Sequence, residues 1–159
     1  KPETPDTERI VEQFNRVSGW VASTILKGTK PKKRALYIKF FISVAKNLLE
    51  LKNFNGLMEI TSALDSISIG RLKKTWKVME TTYLQSFEQL SKLNSIMSPK
   101  ENYKDYRALL DEIDPPCVPF FGVISRDITM INVGNKTFIK SMINFEKCRS
   151  IWKMCSRIL

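Results

Sequence analysis

The chain has 159 residues, of which 43% are hydrophobic and 26% charged, and its 26 basic and 16 acidic side chains leave a net charge of +10. That length suits one domain with its own core and is short for two, and no run approaches the ~20 apolar residues of a membrane span. Zero histidines remove the Ser-His and Cys-His nucleophile pairs, and three cysteines without a CxxC pair are poor material for zinc.

The apolar spacing is helical almost throughout. Thr4-Pro5 reads as an N-cap with proline at the first helical position. Ile10, Val11, Phe14, Val17, Val21 and Ile25 then form one stripe that closes near Gly28. Pro31 restarts the chain, and Leu36, Phe40, Phe41, Val44, Leu48 and Leu51 predict a long second helix with an apolar face. Asn53-Phe54-Asn55-Gly56 punctuates, and Leu57, Ile60, Ala63 and Leu64 predict a short third helix.

Ile67, Ile69, Leu72 and Trp76 predict another helix, and Tyr83, Phe87, Leu90 and Leu93 the next. A helix from Tyr103 to Ile113 is closed by Pro115-Pro116. A helical pattern beginning near Phe120, then Gly134-Asn135 and a second arm around Asn144 to Lys147, outlines a helical hairpin over residues 120–147. Gly134-Asn135 is expected to supply left-handed backbone for its tip. No segment alternates as a strand would, so the expected architecture is all-α: a single irregular helical domain, 1–159, with a protruding helical hairpin.

Several groups could carry chemistry. The densest acidic group, Asp111, Glu112 and Asp114, stands at a helix end beside prolines and reads as a polar loop. The glycines are isolated, without a GxxxxGK[ST] phosphate loop, so nucleotide hydrolysis by this chain is not expected. Cys117, Cys148 and Cys155, an odd set without a signal peptide, suit the reducing cytosol. The basic excess is concentrated in Lys27, Lys30, Lys32, Lys33 and Arg34 and in Arg71, Lys73, Lys74 and Lys77. It favours an anionic partner. A solvated or lipid-facing surface fits better than nucleic acid, which is not expected because no base-stacking aromatics accompany the lysines.

The order of the segments is the most specific feature. Phe14-Asn15 with Ser18 and Trp20-Val21, then Leu51 to Met58, Ile60 to Leu64, Arg71 to Trp76, Tyr106-Arg107 and Pro115 to Gly122 follow one another. Asp127-Ile128-Thr129, Gly134-Asn135 and Ile143 to Lys147 complete the series. This order resembles the catalytic domain of the guanine-nucleotide exchange factors of Ras-family GTPases (the RasGEF domain) over residues 10 to 155. Gly134 to Thr137 with Asn144 to Lys147 look most like the members that act on Rap.

The resemblance implies a cytosolic exchange catalyst without bond chemistry or a cofactor of its own, possessing as partner a Ras-family small GTPase, Ras or Rap. It implies GTPase binding by Asn15, Met58, Asp65, Tyr103, Phe120 and Asp127, chiefly at the GTPase's mobile switch 2 segment. It implies a hairpin that opens the nucleotide pocket through Thr129, Val133 and Asn135, braced by Phe121, Asn144 and Lys147. It also implies that Asn55 holds helices together. Two departures stand out: Val133 replaces an acidic residue common before this Gly-Asn pair, and Glu12 replaces a basic one. The start at Lys1 and the end at Leu159 imply a domain core whose flanking family helices lie outside it. Two other readings stay open: a non-catalytic GTPase-binding module, and a basic helical domain for acidic membrane.

Overall fold

In the computed structural model, which describes residues 5–156, the chain forms two compact units, the first ending at Cys117 and the second beginning at Val118. Both are built mainly of α-helix, so the chain is all-α as its periodicity predicts. Thr4, the expected first cap, lies outside the described residues.

The first unit holds α1 (Pro5–Leu26), α2 (Pro31–Glu50), α3 (Phe54–Leu64), α4 (Ile67–Gly70), α5 (Lys73–Thr82), α6 (Leu84–Ile96) and α7 (Lys104–Glu112). Its centre is α3, which packs against α1 and α2. Phe54, Leu57, Ile60, Ala63 and Leu64 of α3 are all buried. Asn53 starts this helix by accepting a hydrogen bond from the Gly56 N–H at 2.9 Å, satisfying one of the donors that every helix start leaves open. Phe54 meets Tyr106 of α7 edge to face at 5.2 Å, with both rings fully buried.

The buried face of α2 is the expected one only in part: Phe41 of the expected stripe is buried and Val44 and Leu48 are half-buried. Ala35, Ile38, Phe41, Ile42 and Ala45 point inward, while Leu36 and Phe40 are more than half exposed and Leu51, past the helix end, more so. The two alanines let neighbouring helices approach closely, and close approach outweighs the larger side chains next to them. The helix expected over Ile67 to Trp76 is two helices. Leu72 leaves helical geometry with ψ 57°, so Arg71 does not share a helix with Lys74 and Lys77. Trp76 still packs inward, its indole N–H donating to the Ile69 carbonyl at 2.9 Å.

The second unit holds α8 (Phe121–Gly134), a two-stranded antiparallel ribbon of β1 (Phe138–Ile139) and β2 (Met142–Ile143), and α9 (Phe145–Cys155). Phe138 pairs with Ile143 and Ile139 with Met142. The turn is therefore not at Gly134-Asn135. Gly134 continues α8, Asn135 is extended at φ −125°, and no described glycine has positive φ. The chain reverses instead at Lys140 and Ser141, at φ 47° and 66°. A two-residue type I′ loop between paired strands has positive φ at both positions, as Lys140 and Ser141 do.

Candidate functional site

Met58, Thr61, Ser62 and Asp65 of α3 and its C-cap line a cleft of about 280 Å³ with Asn94 and Met97 at the end of α6, Ser98 and Pro99. Met58 and Asp65, seven residues or about two turns apart, reach one cleft because they lie on the same side of one helix. Asp65 is exposed and Met58 half-buried. The Thr61 hydroxyl is occupied by the helix itself, donating to the Leu57 carbonyl at 3.0 Å. The cleft thus offers one carboxylate, polar amide and hydroxyl groups and two thioethers, a lining suited to holding a partner's side chains. Adaptable methionines favour such surfaces.

Asn94 and Ser98 also line a second hollow of about 390 Å³ with Ser95, Lys100, Glu101, Lys104 and Asp105. Its rim is the segment before α7, where Glu101, Asn102 and Tyr103 have φ of 48°, 59° and 60°. Three consecutive left-handed residues with side chains store backbone strain of about 1–2 kcal/mol each. Arg107 holds the segment, its Nε donating to the Asn102 carbonyl at 2.7 Å and its backbone N–H to the Tyr103 carbonyl at 2.9 Å. Tyr103 is left half-buried. No glycine marks this turn, and Asn102 is its one residue that commonly adopts left-handed backbone.

Asn15 is exposed on α1, one turn before Ser18, whose hydroxyl donates to the Glu59 carbonyl at 2.9 Å and ties α1 to α3. Within α3, the Asn55 side-chain amide donates to Glu59 Oε1 at 3.0 Å, a bond inside one helix. Burial raises the Glu59 carboxyl above the usual carboxylate range.

The second unit carries the other candidate residues. Phe120 precedes α8 and lies against Gly122, where a methyl group would come within 2.5 Å of its ring. Phe121 and Asp127 are half-buried. Thr129 and Val133 are exposed one turn apart on α8, Val133 at 73%. The Asn135 amide folds back to the Ile131 carbonyl at 2.9 Å, satisfying one of the free carbonyls at the C-terminal end of α8.

Asn144 and Lys147 organise the return. Asn144 caps α9 by accepting from the Lys147 N–H at 3.3 Å, and its own amide donates to the Lys136 carbonyl at 2.9 Å. Its backbone N–H reaches the Thr137 carbonyl at 2.9 Å. Lys147, 7% exposed, sends its ammonium to the Asn132 carbonyl and the Thr137 hydroxyl, each at 3.1 Å. A cation at the C-terminal end of α8 also matches the helix dipole. Among the described residues, no cluster of three His, Cys, Asp or Glu side chains could hold a metal ion.

Comparison with known proteins says which kind of domain this is. The model of the RasGEF domain matches residues 1–149. The chain is 36% identical over 150 residues to Ras guanine nucleotide exchange factor W of Dictyostelium discoideum, covering 93% of the chain and 12% of that protein. It is 37% identical over 152 residues to a Rap guanine nucleotide exchange factor of Caenorhabditis elegans, covering 94% and 10%. Against Rap guanine nucleotide exchange factor 1 of Homo sapiens it is 35% identical over 144 residues, covering 91% and 13%. The chain therefore spans about a tenth of the length of these relatives. With 149 of its 159 residues inside the matched region, the chain belongs to the RasGEF domain family.

Proposed function

We propose that the chain is a guanine-nucleotide exchange module that promotes release of GDP from a Ras-family GTPase, Ras or Rap. The observation that carries this reading is the family match over residues 1–149, joined by relatives named for Ras and for Rap exchange. On the first unit, Asn15, Met58, Asp65 and Tyr103 bind the switch 2 segment, with the methionine-lined cleft taking an apolar side chain. On the second, Phe120 and Asp127 add contacts, and Thr129, Val133 and Asn135 of the hairpin act beside the phosphate and magnesium site. Phe121, Asn144 and Lys147 keep the hairpin in shape.

No bond to the nucleotide is made or broken by the chain, and it needs no cofactor of its own. It prefers the nucleotide-free GTPase, and by linkage the nucleotide is held more weakly by the same factor. Incoming nucleotide weakens the chain's own grip reciprocally, so the module turns over. In the cytosol GTP is the abundant nucleotide and refills the site.

The test is capture of a Ras or Rap protein by the immobilised chain, stripped of nucleotide or loaded with GDP. The empty form should bind at least about tenfold more tightly, a difference of ~1.4 kcal/mol. Asp65→Lys should abolish that preference while leaving helicity intact. Equal binding of both forms would refute exchange and leave a passive GTPase-binding module.

A further inference from the structure

The two basic runs, forty residues apart in sequence, meet in the first unit. The Arg34 side chain, half-buried, donates from Nε to the hydroxyl of fully buried Thr75 at 3.1 Å and from Nη1 to the Gly28 carbonyl at 2.9 Å. This brings the starts of α2 and α5 to the same end of the unit. Lys30, Lys32 and Lys33 around one start and Arg71, Lys73 and Lys74 around the other are all exposed. Among the described residues, no carboxylate is ion-paired with any of the six.

Their placement works against stability. The N-terminal end of a helix is electropositive and favours acidic side chains. Neither α2 nor α5 has an acidic residue in its first turn, and neither has a side-chain cap. Lys32, Lys33, Lys73 and Lys74 occupy those turns instead. Four cations where the helix dipole repels them are a departure from local rules of the kind that marks a functional surface.

Apolar side chains flank the charge. Lys33, Leu36 and Phe40 follow at three- and four-residue spacing on one face of α2, with Leu36 52% and Phe40 59% exposed. Ile67, 89% exposed, lies one turn before Arg71. A basic patch bordered by protruding apolar side chains fits the headgroup region of a bilayer. Within the two basic runs the aromatic is Trp76, which is held by Ile69 and packs on Phe87 at 6.3 Å, so no stacking platform for bases accompanies the lysines. We infer that the α2–α5 end is a docking surface for a membrane rich in acidic phospholipid.

The experiment is co-sedimentation of the chain with vesicles of phosphatidylcholine, alone or with about a third phosphatidylserine. Binding should require phosphatidylserine and weaken with salt. Reversing Lys32, Lys33, Lys73 and Lys74 to Glu should cut it by about a hundredfold or more, since each lysine near an acidic surface contributes several-fold. The same variant should melt at a higher temperature, because glutamates in a first helical turn suit the dipole. Reversing Lys46, Lys92, Lys136 and Lys153 changes net charge equally and should leave most of the binding.

No phosphatidylserine-dependent binding would overturn the inference, as would equal losses in the two variants. Tighter binding to DNA or RNA than to the vesicles would overturn it too. Should the patch reversal lower the melting temperature, Lys32→Gln with Lys74→Gln decides, and binding equal to the parent's overturns the docking surface.

Discussion

Replacing Lys147 with methionine should loosen the hairpin specifically. Its ammonium donates two hydrogen bonds, to the Asn132 carbonyl and the Thr137 hydroxyl. Bonds from a charged donor contribute about 1.5–3 kcal/mol each, so the gross loss is ~3–6 kcal/mol. Two effects reduce it. Methionine fills most of the space and spares the cost of burying a cation, and both acceptors belong to exposed residues that water can reach. The net loss should be about 1–2 kcal/mol. Because the hairpin lies in a compact unit of its own and the expected loss is local, amide hydrogen exchange is the right assay. Protection in α8 and α9 should fall roughly tenfold per 1.4 kcal/mol, while α2 and α3 stay protected. Thr137→Val should matter less in the Lys147→Met background than alone, by about 0.5–1 kcal/mol. Unchanged protection of α8, or an equal loss in α3, would refute Lys147 as the local tie.

Gly122→Ala should displace the Phe120 ring, since the new methyl would lie 2.5 Å from it. The cost should be about 1–2 kcal/mol despite alanine's better helix propensity, and a rise in melting temperature would show the ring to be unseated already. Arg34→Met should cost ~1–2 kcal/mol in urea unfolding, because the fully buried Thr75 loses its side-chain donor. Glu59 gives a pH signature. Its folded carboxyl holds the proton more tightly than its unfolded one, so its contribution falls as pH rises through and just above the ordinary carboxylate range. Glu59→Gln should flatten the stability profile in that window, and an unchanged slope would sink the assignment. Val133→Glu should speed nucleotide release by about tenfold if a carboxylate beside the magnesium site promotes exchange, and an unaltered rate would retire that idea.

Where large apolar residues set the period, the sequence was legible. Val21 and Ile25 of α1 and the four apolar positions Leu57, Ile60, Ala63 and Leu64 of α3 are buried as their spacing predicts. Reading failed where small residues decide. Ala35 and Ala45 define the packed face of α2, and counting large side chains pointed to Leu36 and Phe40 instead. It failed again where left-handed backbone falls mostly on residues without that preference, Asn102 being the exception. Lys140-Ser141 and Glu101 to Tyr103 contain no glycine, so Gly134-Asn135 drew the turn to itself. The apolar pairs Phe138-Ile139 and Met142-Ile143, two residues apart, were the available sign of a ribbon. For the site, Met58 and Asp65 share a cleft, which three-dimensional proximity alone could establish because Asn94 to Pro99 supply its other wall. The buried ammonium of Lys147 had no counterpart in the periodicity, which treats lysine as a surface residue.

Exchange is read directly from the release of a fluorescent GDP analogue from a panel of Ras, Rap and Ral proteins. Excess unlabelled nucleotide is present, and the chain is varied in concentration. Release from at least one Ras or Rap protein should accelerate in proportion to the amount of chain, and Asp65→Lys should abolish the acceleration. A folded chain that leaves release from every Ras and Rap protein at its intrinsic rate would contradict exchange.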